Sequence, residues 1–99
     1  MPKPLHLFDV VIRPVVTEKS QILQDEQNVY VFEVDMRANK PQIKAAVEEI
    51  FDVDVRKVRT AVVPPKRGRR GRSEYIRKKA WKKAYVTVEP GDSIDLFGV

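Results

Sequence analysis

Between Lys66 and Lys83 the chain places ten basic residues, Lys66, Arg67, Arg69, Arg70, Arg72, Arg77, Lys78, Lys79, Lys82 and Lys83, against one acid, Glu74. Arginine presents planar, forked donors that fit phosphate oxygens, and lysine presents a compact point charge. A cluster that neutralises several phosphates releases counterions, which scattered charges do not. The chemistry on offer is therefore the holding of a polyanion. A solvated charged loop is the plainer reading, but such surfaces mix both signs and this run does not. Tyr75 and Trp81 interleave with the charges. Their ring faces could stack on unpaired bases, a mode that suits RNA loops better than duplex DNA, and they could equally cover a sheet.

Outside this run the candidates are sparser. Lys40 and Lys44 fall on one helical face and could touch a nucleic-acid backbone already engaged elsewhere, whereas Lys19 reads as an ordinary solvated helix charge. Glu18 lies in a first helical turn, where a negative charge favours the helix dipole. It has no apolar surroundings to serve and is equally able to pair with a basic partner. His6 is the lone histidine and cysteine is absent, so no metal-ligand set, disulfide or thiolate nucleophile is expected. The run Arg67-Gly68-Arg69-Arg70-Gly71 lacks the strand–turn–helix setting and the Lys-Ser/Thr ending of a phosphate-cradling loop. Neither enzymatic activity nor a cofactor is expected.

The rest of the composition bounds the body that carries these groups. Ninety-nine residues with 42% hydrophobic content make one domain, residues 1–99, with one modest core. The net charge is +5, so a segment of +9 leaves −4 for the remainder. A mildly acidic body with a concentrated basic arm is the asymmetry of a chain in which one part folds and another meets nucleic acid. No apolar run is long enough to span a membrane, and Met1 to Asp9 holds Pro2, Pro4 and His6 where a signal peptide needs an apolar stretch, so a soluble, unexported protein is expected.

The elements follow from periodicity. Met1 to Pro14 begins irregularly, and Pro14 closes the short apolar run of Val10, Val11 and Ile12. Thr17 caps a short helix to about Asp25, docked through Ile22 and Leu23. Val29 to Asp35 alternates as a strand, with Tyr30, Phe32 and Val34 on one face. Asn39 then caps a second helix, with Gln42 in capping-box position, Pro41 in the first turn, and a stripe of Ile43, Ala46, Val47, Ile50 and Phe51. Val53 to Val63 is strand-like with a phase shift near Arg56 and Lys57, the mark of a bulge, and Pro64-Pro65 end its pairing. The last strand, about Trp81 to Glu89, sets Ala84, Val86 and Val88 on one face and Trp81, Lys83, Tyr85 and Thr87 on the other. Pro90-Gly91 turns the chain. Residues 64–80 form an extended basic loop that is expected to be disordered or a mobile ribbon until a partner orders it.

Three stretches in this order, Arg13-Pro14-Val15-Val16-Thr17-Glu18-Lys19, Lys40-Pro41-Gln42-Ile43-Lys44-Ala45-Ala46-Val47-Glu48 and Trp81-Lys82-Lys83-Ala84-Tyr85-Val86-Thr87-Val88, resemble the bacterial large-subunit ribosomal protein numbered twenty-three. The resemblance spans nearly the whole chain. It implies an α+β fold, an antiparallel sheet of three to four strands with two helices packed on it and a long basic loop between the later strands. It also implies a structural role on 23S-type rRNA beside the polypeptide exit tunnel, among neighbouring large-subunit proteins, in a cytoplasmic or organellar ribosome, with no membrane insertion. In that family the Pro-x-x-Ser/Thr-Glu-Lys corner docks trigger factor and the signal recognition particle, and its glutamate corresponds to Glu18. The Pro64-Pro65 pair departs from the Gly-Lys-like continuation common in relatives, and the segment through Leu7 runs beyond their commonest start. Two other classes share the same basic arm: an architectural DNA-binding protein, and an adaptor whose loop meets an acidic protein.

Overall fold

One strand dictates the layering. Every position of Val29–Val34 except Glu33 is buried, and a strand that is apolar on both faces needs cover on both sides. The computed structural model, which describes residues 7–70 and 73–94, supplies that cover with a helix on each face. The elements run α1 (Leu7–Val10), β1 (Val11–Pro14), α2 (Glu18–Gln27), β2 (Val29–Val34), α3 (Lys40–Phe51), β3 (Val55–Val63), β4 (Lys66–Arg70), β5 (Ser73–Lys78) and β6 (Trp81–Val88). β1, β2, β6 and β3 lie side by side in that order, all antiparallel, while β4 and β5 pair separately as a two-stranded antiparallel ribbon. The fold is α+β as expected, with four strands in the main sheet.

The principal core lies between the sheet and α3. Phe32, Ile43, Ala46, Val47, Ala84 and Val86 are fully buried there, and the Phe32 and Phe51 rings stack with centroids 5.5 Å apart. The helix begins where its sequence requires. The Asn39 side chain accepts from the Gln42 N–H, and the Gln42 side chain accepts from the Asn39 N–H, each at 3.0 Å. Ile50 sits at the rim, 37% exposed, so the stripe is narrower than the sequence pattern implies. The bulge is present: β3 shifts register against β6 between Val55 and Lys57.

Two expectations need correction. A third helix exists, the single turn α1, because the segment read as irregular up to the Val10 run closes a helical turn before β1. The helix α2 runs to Gln27 rather than about Asp25, and its inward residue is Ser20, whereas Ile22 is half exposed. Ser20 is the N3 member of a capping box: its hydroxyl accepts from the Thr17 N–H at 2.7 Å, and the Thr17 hydroxyl accepts from the Ser20 N–H at 3.1 Å. Asn28 ends the helix in the left-handed conformation, φ 55°.

Candidate nucleic-acid interface

The geometry of the interface follows from β6. As the strand between β2 and β3 it has both edges hydrogen-bonded, so its side chains alone decide what each face carries. Ala84, Val86 and Val88 face α3 and are buried, while Trp81, Lys83, Tyr85 and Thr87 point the other way and are half-buried.

Period-two alternation splits the two adjacent lysines. Lys82 lies on the α3 side, where its Nζ donates to the Ala38 carbonyl at 2.6 Å across 44 residues of sequence. Ala38 closes the turn that leads into α3, with its N–H donating to the Asp35 carbonyl at 3.0 Å. In the same turn the Arg37 side chain and N–H both donate to Asp35, at 3.1 and 2.8 Å, and these bonds lower the Asp35 pKa below its ordinary value against a smaller opposing effect of burial. Lys82 therefore ties the sheet to the start of α3, with its remaining N–H groups left for other partners. Lys83 takes the opposite face. Its Nζ is 5.5 Å from the Tyr85 ring centroid, and the Arg59 guanidinium, on the directly opposed residue of β3, is 5.7 Å from the same centroid.

The basic run continues from the sheet as the β4–β5 ribbon. Its register pairs Lys66 with Lys78, Arg67 with Ile76, Gly68 with Tyr75, Arg69 with Glu74 and Arg70 with Ser73. Where the sequence led to an extended loop, disordered or a mobile ribbon, the structure pairs β4 with β5 as an antiparallel ribbon, with a register shift between Lys66 and Arg67. Arg72 lies outside the described residues, as do the side chains of Arg67, Arg69, Arg70, Tyr75, Arg77 and Lys78. Lys66 and Lys79, at the base of the ribbon, are exposed. There the ribbon joins the main sheet at the last β3–β6 pair, Val63 with Trp81.

Two clefts collect further cations. One, of about 330 Å³, is lined by Lys40, Pro41, Lys44, Arg56, Lys57 and Val58, so the two α3 lysines singled out from the sequence meet two more cations from the bulge. Arg56 there also lies 3.6 Å from Glu89. The other, of about 300 Å³, opens between α2 and β6, and its lining includes Lys19, Leu23, Val31, Trp81, Lys83 and Tyr85. Sequence reasoning passed over Lys19, Arg59 and Tyr85 because nothing in their local spacing reveals that three separate elements bring them together. The signal that was available is the cross-strand row Val31–Tyr85–Arg59, which follows once β6 is placed between β2 and β3. Glu18 is exposed at the start of α2, beside the capping box and far in sequence from the ribbon. Among the described residues no group of three or more potential metal ligands comes together, and no helix is long and apolar enough to cross a membrane.

An antiparallel sheet with a helix on each face, extended from two paired strands by a ribbon of basic sequence, defines a small α+β protein with a basic hairpin extension. The family model for ribosomal protein L23 matches residues 9–96, and the chain belongs to that family. It is 47% identical over 95 residues to the large ribosomal subunit protein uL23 of Geobacter sulfurreducens, an alignment covering 96% of this chain and 100% of the relative. It is 50% identical over 97 residues to the protein of the same name from Syntrophotalea carbinolica, covering 98% and 99%. The Aquifex aeolicus protein of that name is 47% identical over 91 residues, covering 90% and 88%. Membership of this family makes the chain a structural ribosomal protein and not an enzyme.

Proposed function

We propose that the chain is a component of the large ribosomal subunit that binds 23S-type rRNA near the polypeptide exit tunnel, among neighbouring large-subunit proteins. The observation that carries this reading is the basic ribbon of β4 and β5 next to the Val63–Trp81 pair, with further cations in the sheet and at the start of α3. A duplex RNA offers phosphates and shape more readily than base edges in its narrow major groove, so backbone neutralisation by Lys66, Arg67, Arg69, Arg70, Arg72, Arg77, Lys78 and Lys79 is the main source of affinity. Lys40 and Lys44 add contacts to the same backbone. A second activity belongs to the α2 corner. Glu18, held in the first turn by the Thr17–Ser20 capping box, is the docking point for trigger factor and the signal recognition particle. An exposed carboxylate with a fixed backbone offers a basic partner a preset target.

Sedimentation of the tagged protein from lysate tests the first part: it co-migrates with large subunits at physiological salt, and a position free of them refutes it. Replacing Arg67, Arg69, Arg70 and Arg72 together by Ala weakens rRNA binding and flattens its salt dependence with the body's circular dichroism intact; unchanged affinity refutes the assignment of the ribbon. Glu18→Ala lowers trigger factor and signal recognition particle recruitment to purified ribosomes without lowering incorporation, and equal recruitment refutes the docking role.

A further inference from the structure

The face of the sheet opposite α3 is only half covered. α2 lies over β2, where Val29 and Val31 are buried, but on the same face of β6 and β3 Trp81, Lys83, Tyr85 and Thr87 are half-buried and Arg59 and Ala61 are exposed. At the boundary lies the 300 Å³ cleft, its wall made by Leu23, Val31 and the Trp81 and Tyr85 rings, with Lys19 and Lys83 also in its lining. Arg59 adds a third cation beside Tyr85. No described residue lining the cleft is acidic. The acid on the same face of the sheet, Glu33, is held 3.1 Å from Arg13.

We propose that this cleft takes one unpaired nucleotide of the rRNA, its base against the Trp81, Tyr85 and Leu23 wall and its flanking phosphates on Lys19, Lys83 and Arg59. The proposal rests on the reading of the chain as an rRNA-binding protein and adds a site separate from the ribbon. Charge complementarity selects the occupant. An apolar slot bordered by three cations suits a planar, weakly polar base flanked by anions, and the cleft is at the small end of the range for ligand sites. An acidic protein segment would satisfy the cations, but its carboxylates bring no flat face for the two aromatic rings. The Tyr85 ring quadrupole attracts both cations, at 5.7 and 5.5 Å from its centroid, so Arg59 and Lys83 are already positioned for phosphate.

The test uses the full-length chain and protein-free large-subunit rRNA, titrated over a series of salt concentrations, with thermal unfolding as a control for folding. Tyr85→Leu keeps apolar cover and removes the ring, and it weakens binding by roughly 5- to 150-fold, the range for loss of one aromatic–base stack. Tyr85→Phe restores affinity to near the wild-type value. Lys19→Ala, on an exposed helix position, lowers the slope of log affinity against log salt by about 0.7 to 1. If the wild-type chain binds and both Tyr85→Leu and Lys19→Ala bind equally well with an unchanged slope, the cleft site is refuted while rRNA binding by the ribbon stands. If the wild-type chain does not bind this RNA, the underlying reading fails and the cleft with it. In assembled subunits, ultraviolet cross-linking from the peptide containing Trp81 and Tyr85 to a nucleotide supports the site. A cross-link from that peptide to a neighbouring protein alone overturns it.

Discussion

Adjacent lysines on one strand are expected to fail in different ways when replaced. In Lys82→Met the aliphatic stem remains but the ammonium that donates to the Ala38 carbonyl at 2.6 Å is gone, leaving a residue only 1% exposed without that donor. Hydrogen bonds to charged groups contribute about 1.5–3 kcal/mol, and because Lys82 is half-buried and keeps some contact with water, the lower end, about 1.5 kcal/mol, applies. For a domain of this size that corresponds to a fall in Tm of roughly 6–12 °C. Lys83→Met removes a cation from near the Tyr85 ring on the opposite face, where a half-buried pair that keeps contact with water contributes about 1 kcal/mol, so its melting temperature falls less and its rRNA affinity falls more. Thermal unfolding followed by circular dichroism, paired with titration of rRNA, reads both effects on the same samples. Equal melting temperatures for the two variants would refute the division of labour. So would a loss of affinity confined to Lys82→Met with no loss of stability.

The capping of α3 is tested by Asn39→Ala, which removes the acceptor for the Gln42 N–H and is expected to cost about 1 kcal/mol in urea unfolding, with an unchanged m-value. Ile43→Ala, at a fully buried position, is expected to cost about 2–5 kcal/mol, and a loss below 1 kcal/mol would mean that α3 does not pack on the sheet as described. Asp35 should titrate below an ordinary aspartate by NMR, with Arg37→Gln returning it toward the ordinary value. Because the folded pKa is the lower one, the interaction contributes above the unfolded aspartate pKa, and its contribution disappears as pH falls through the folded value.

Much of the body was legible because its signals are local. The Asn39–Gln42 capping box, the alternation of Ala84, Val86 and Val88 and the phase shift at Arg56–Lys57 are each written in a few consecutive residues, and each has its expected place in the fold. The inward role of Ser20 was not, since the capping serine looks apolar-deficient in a helix whose large side chains, Ile22 and Leu23, suggest a docking stripe. For the site, charge density drew attention to the ribbon and grouped Lys82 with it, although alternation along β6 already placed that side chain with Ala84 and Val86 on the α3 side. Lys19, Arg59 and Tyr85 come from a helix and two strands far apart in sequence, and only strand order brings them together. Strand order is set by long-range pairing, on which no short spacing reports.

The root of the ribbon has a consequence for how its reach is set. Val63 and Trp81 are opposed residues of one antiparallel ladder, so whatever lies between them closes the same gap. The β4–β5 ribbon thus lies within the connection of a hairpin whose last sheet pair is Val63 with Trp81. Doubling a flexible connection costs only about 0.6 kcal/mol in closure entropy, and each added level of a ribbon extends it by about 3.4 Å. The distance that this ribbon spans is thus set largely by the number of its ladder pairs, a length that the Val63–Trp81 pairing does not fix.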